Sequence, residues 1–204
     1  MKKLILLLLL AAVGVLAWYF LVTKKKPENE TPKPQPLAVS KHSDSFNVSV
    51  NNMLETYYTL SDDFVKWDSA AVRSRATALS AKLGQVNFKE MQKDTAIYET
   101  AVSYIDILKA ESKKIAQTPD PIERRRSFHT LSQSLYDLMR TIRYDKAKIY
   151  LQECPMAFND EEPGNWLSKT DAVRNPYLGL HHPKYGKGML ECGAPKDTLN
   201  FTQP

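Results

Sequence analysis

Residues 121–144 read PIERRRSFHTLSQSLYDLMRTIRY. Phe128, Leu131, Leu135, Leu138, Met139 and Ile142 return at spacings of three and four. They fall within about 100° of arc if the chain advances ~100° per residue. That stripe predicts a helix with one buried face. His129 lies about 130° from the centre of the stripe on the same wheel, which puts it on a flank. There it is either a polar surface residue or the point where a later segment crosses the helix.

Working upstream, Thr118-Pro119-Asp120-Pro121 breaks the chain before this helix. A second amphipathic segment covers 93–117, with Ile97, Ala101, Tyr104, Ile105 and Leu108 on its inner stripe. A third starts after Asp68, a natural N-cap, carries Val72, Ala76, Leu79 and Leu83, and stops at Gly84. A fourth covers 46–66 through Val50, Leu54, Tyr57, Phe64 and Val65. Four such helices with short connections predict a mainly α fold, an antiparallel four-helix bundle over residues 45–147. Tyr57, Tyr58, Tyr98 and Tyr104 read as core rather than as a ligand box. This half has no Glu-x-x-His pair, glycine-rich phosphate loop, Gly-x-Ser-x-Gly elbow or His-Glu-x-x-His. The expectation is a protein that is not an enzyme.

At the other end, residues 4–22 read LILLLLLAAVGVLAWYFLV without a charge. As a helix they would reach roughly 28 Å, about the thickness of a hydrocarbon core. A cleaved leader is shorter and ends in a small-x-small site. The length here, with bulky Trp18-Tyr19-Phe20 at the end, favours an uncleaved signal anchor over residues 1–23. The chain carries a net charge of +5. Lys2, Lys3, Lys24, Lys25 and Lys26 account for it, so the remainder is neutral on balance and has no general attraction for nucleic acid. Residues 24–44, rich in proline and charge, read as a semi-rigid linker. A short N-terminal flank usually stays in the cytoplasm, so the folded body is expected outside it, tethered to the membrane by one transmembrane helix.

The pattern changes at Lys148. Residues 149–152 are short and β-like, and the rest of 148–204 is dense in turn formers. We expect a loop-rich arm packed on the bundle, anchored by Trp166, Leu167, Tyr177 and Leu178. Both cysteines of the chain lie in it, each beside a methionine: Cys154-Pro155-Met156 and Met189-Leu190-Glu191-Cys192. Thiolate and thioether are soft donors that select Cu(I) over hard cations. If the arm doubles back, Cys154, Met156, Met189 and Cys192 could share one ion. The same two cysteines are also ordinary material for a disulfide, which would close a loop of about 40 residues and stabilise by about 4 kcal/mol. His181-His182 sit in an extended stretch where neighbours point opposite ways. One of them could join a soft site or a Cys–Cys–His zinc set, but the plainer reading is a solvated pair.

The runs Tyr150-Leu151-Gln152-Glu153-Cys154-Pro155-Met156-Ala157, Trp166-Leu167-Ser168, Asn175-Pro176-Tyr177-Leu178-Gly179 and Met189-Leu190-Glu191-Cys192-Gly193 resemble the C-terminal signature of domain-of-unknown-function family 3347. Tyr58-Thr59-Leu60-Ser61-Asp62-Asp63 is similar to its first helix, and Phe128-His129-Thr130-Leu131-Ser132 to its helix before the cysteine arm. The resemblance implies an exported bacterial domain, one also found appended to periplasmic adaptors of copper and silver efflux. Carried over, it implies Cys154, Met156, Met189 and Cys192 as metal donors, with His129 a weaker candidate; His181 is a weak candidate from its place in the arm alone. The association with those adaptors and the soft donor chemistry together point to copper as the ion and to an efflux adaptor or another envelope protein as the partner.

Overall fold

The computed structural model describes residues 15, 16, 18, 19 and 40–202. Most of the expected membrane span therefore lies outside the described residues. Among the described residues, no helix is long and apolar enough to cross a membrane. Residues 40–202 fall within one unit of the chain.

Each helix begins where a short polar side chain can accept from the free N–H groups of the first turn. Helix α1 spans Asp44–Val65, capped by Ser43 on the Phe46 N–H. Helix α2 spans Ser69–Leu83, with Asp68 accepting from Ala70 and Ala71. A 3₁₀ turn, Phe88–Lys93, follows; the sequence reading did not foresee it. Helix α3 spans Thr95–Gln117 behind Asp94. Helix α4 spans Pro121–Ile142 behind Asp120, with proline in the first turn where its missing N–H is not needed. Each α-helix packs on the next along the chain. The stripe of α4 is buried throughout, and Tyr57 is fully inside, while Tyr58, Tyr98 and Tyr104 are partly covered.

The arm departs from expectation. Instead of loops with one short β-like stretch, it forms a three-stranded antiparallel sheet: β1 Ile149–Phe158, β2 Glu162–Ser168 and β3 Ala194–Leu199, in the order β2-β1-β3. The turn formers that suggested loops occupy places a sheet tolerates. Pro163 and Gly164 sit on the edge strand β2. Pro155 falls where the β1–β2 register slips between Cys154 and Phe158. Trp166, Leu167, Tyr177 and Leu178 are all buried, as expected.

Strand β2 lies against α4 and α1. Its outward N–H groups have no strand to pair with, and the helices supply acceptors. Leu167 N donates to the Tyr57 hydroxyl at 2.9 Å, and Asn165 N donates to His129 Nδ1 at 3.0 Å. The Tyr57 hydroxyl is also 2.7 Å from Ser132 Oγ, which itself donates to Phe128 O. That order fixes the direction: Tyr57 accepts from Leu167 and donates to Ser132. A buried sheet edge is thereby satisfied without a fourth strand.

Candidate functional site

The two sulfur boxes approach each other because β3 runs antiparallel to β1. Glu153 pairs with Ala194, and the chain just before Ala194 carries Cys192 back alongside Cys154. Gly193 makes the approach possible: it adopts φ 132°, and a Cβ there would lie 2.7 Å from Glu153 O. On the other side of β1, Cys154 pairs with Gly164.

Cys154 is fully buried and Cys192 half-buried; both are free thiols. The Cys192 side chain lies close enough to Cys154 for the two thiols to influence each other electrostatically. Burial, then this neighbour, pushes the Cys192 pKa up to about 12, so it is protonated at neutral pH. A cation held between the two sulfurs would reverse that electrostatic preference and displace protons.

Asn175, fully buried, holds the pair in position. Its Nδ2 donates to Cys192 O at 2.9 Å, and its backbone N donates to Leu190 O at 2.8 Å. Its Oδ1 accepts from Tyr177 N and Leu178 N at 2.8 and 3.0 Å. The Cys192 N–H in turn donates to Met189 O. The turn bearing Cys192 is thus fixed by hydrogen bonds. In the sequence Asn175 stands out only as part of the Asn175-Pro176-Tyr177-Leu178-Gly179 run, and nothing there assigns it this role.

The other expected donors occupy different surroundings. Met189 is half-buried, one turn before Cys192. Met156 is half-buried in the wall of a cavity also lined by Trp67, Arg125, Phe158 and His182, which neither cysteine nor Met189 lines. His129 does meet the arm, but its Nδ1 is taken by the Asn165 N–H. His181 is exposed, and His182 turns inward to stack on Tyr185 at 5.1 Å. Among the described residues no three His, Cys, Asp or Glu side chains are placed to hold a metal, so the Cys–Cys–His zinc set does not form there. What remains is a pair of neighbouring thiols, with Met189 on the Cys192 turn and Met156 in a different wall.

His129 and His182 share an electrostatic signature. Burial lowers the pKa of each, and each uses Nδ1 to accept from backbone N–H groups. Around His129, Glu153 works against the shift while Lys196 and Arg126 reinforce it. A folded-state pKa below the unfolded value, about 6.5, contributes stability that is complete above ~6.5 and is lost as pH falls below it. The carboxylates with lowered pKa, such as Glu90 and Asp145, lose their contribution only in more acidic solution. Stability measured by urea unfolding should therefore decline on acidification from pH 7.5 to 5.5, and His129→Gln should flatten that decline. An unchanged slope in the variant would assign the decline to other groups.

Residues 53–146 match the profile of a family described as a protein of unknown function, DUF3347. The matched segment runs from within α1 to just beyond α4 and ends before β1. No curated protein and no solved structure matches the chain.

Proposed function

We propose, with that family assignment as premise, that this is a membrane-tethered, extracytoplasmic protein that captures Cu(I) or a similarly soft ion on Cys154 and Cys192 and is linked to metal handling or efflux. In this reading the four helices form an antiparallel bundle that carries the sulfur-bearing sheet. The observation that supports it is the pairing of a buried thiol with a half-buried one by a hydrogen-bonded turn. The two cysteines are neighbours before any ion arrives, and Cys192 is partly exposed. Among the described residues no three His, Cys, Asp or Glu side chains gather there, and a pair of thiols suits a soft cation. Met189, on the Cys192 turn, is the first candidate for a further ligand, and Met156 the second.

A second reading keeps the geometry and drops the ion: the same contact, oxidised, is a Cys154–Cys192 disulfide in a non-catalytic interaction module. Its support is the contact itself, together with the ease of oxidation outside the cytoplasm.

Competition against a chromophoric Cu(I) chelator separates the two. The reduced full-length chain should retain one equivalent of Cu(I), Cys192→Ser should abolish retention, and Met189→Ala should weaken it without altering the unfolding midpoint. Retention should weaken as pH falls, because both thiols must lose protons. If the protein as isolated lacks two hydrogens by intact mass, takes up no thiol label, and still binds no copper after reduction, the disulfide module is the correct reading.

A further inference from the structure

The cavity walled by Met156 is a separate feature from the dithiol. Its volume is about 450 Å³, within the range of small-molecule sites, and its lining is mostly apolar: Trp67, Ile122, Met156, Phe158, Tyr177 and Leu178. Arg125 also lines it.

Arg125 is 7% exposed and has no carboxylate partner among the described residues. Its guanidinium lies 3.8 Å over the Trp67 ring. It donates from Nε to Tyr177 O at 3.0 Å, from Nη1 to Pro121 O at 3.3 Å and, over a long 3.4 Å, from Nη2 to Phe64 O. A guanidinium has five N–H groups, so one on each terminal nitrogen has no acceptor among the described residues. A buried cation held by neutral carbonyls and aromatic faces, with no opposite charge beside it, is costly.

The acidic groups in the wall are already committed. Asp120 caps the Ile122 and Glu123 N–H groups, and Asp160 is held by Lys184 and Tyr185. The wall also contains strain. Trp67 adopts φ 58°, a left-handed conformation that a bulky residue rarely takes, at the position after the α1 C-cap where glycine is usual. The ring is kept there by its Nε1–H bond to Leu178 O at 3.0 Å and by the guanidinium stacked on it. Strained residues of this kind cluster at ligand sites.

We propose that this cavity binds a small organic monoanion with an aromatic or branched apolar body, its carboxylate meeting the open N–H groups of Arg125 and its body lying against Trp67, Phe158 and Met156. The site uses neither cysteine nor Met189, and the copper reading does not require Met156, so each can fail without the other.

Phenylacetate is a suitable probe, with phenylacetamide as its uncharged isostere and acetate as the anion without a body. In ¹⁵N spectra of the full-length chain, the Trp67 indole N–H signal, assigned by its loss in Trp67→Phe, should shift with phenylacetate and saturate. Phenylacetamide and acetate should each bind at least about tenfold more weakly, since a buried charge pair or a desolvated ring contributes more than 1.4 kcal/mol. Ile122 is 54% exposed in the cavity wall, so Ile122→Glu places a like charge there with little expected effect on folding. It should weaken phenylacetate by about tenfold, whereas Ile122→Gln should not. No saturable shift at millimolar phenylacetate, equal binding of acid and amide, or equal effects of the Glu and Gln variants would each overturn the assignment.

Discussion

Gly179→Ala should cost about 3 kcal/mol or more, whereas Gly186→Ala should cost only ~1 kcal/mol. Both glycines adopt nearly the same left-handed conformation, φ 54° and 55°, so both substitutions carry the same intrinsic penalty. Their surroundings differ. A Cβ at Gly186 would meet nothing within 4 Å, while at Gly179 it would lie 2.5 Å from Val65 O and 2.7 Å from Trp67 Nε1. Neither neighbour is free to retreat. Val65 O accepts from Leu180 N at 2.8 Å, and the Trp67 ring is fastened to Leu178 O. The difference between the two variants in guanidinium unfolding isolates the close approach of the arm to the end of α1. Equal losses would mean that this approach contributes nothing.

Asn175→Ala should be comparably severe, at about 3–5 kcal/mol. The substitution leaves two buried backbone groups, Tyr177 N and Leu178 N, and one half-buried group, Cys192 O, without their side-chain partner. Each such group costs about 1–3 kcal/mol, less than additively when neighbours relax together. A local consequence should accompany the global one. With its clamp gone, the Cys192 turn should swing away from β1 and expose Cys154, which is otherwise fully buried. Thiol labelling under native conditions should therefore turn from slow to rapid at Cys154 in the variant. A chain that loses stability while Cys154 stays protected would show that Asn175 braces the fold without positioning the sulfurs.

The helices were legible because burial follows a simple period. The stripe of α4, the cap Asp68, the break before Pro121 and the stop at Gly84 all lie where the sequence places them. The sheet was not, because Pro155, Pro163 and Gly164 argue against strands unless edge position and register slip are known beforehand, and these are tertiary facts. For the site, it was readable that residues 154 and 192 carry soft chemistry, and the structure brings those two together. The placement of Met156 in a different wall was not readable, since the slipped register of β1 begins at Cys154. The three arginines 124–126 hide another distinction. Arg124 turns back to bind Thr118 O at the end of α3, Arg125 goes inward, and Arg126 pairs with Glu162 near the surface. Nothing in a run of identical residues tells that the first two will be buried and the third will not, or that only the second will stack on Trp67.

The hydroxyl of Tyr57 receives the N–H of Leu167 from 110 positions along the chain, and the Trp67 indole reaches Leu178 across 111. The first helix to be synthesised thus waits for nearly the last segment before its interior is complete. During biosynthesis the nascent chain cannot lock this domain until the final quarter has emerged, and the meeting of its two cysteines waits for that same segment.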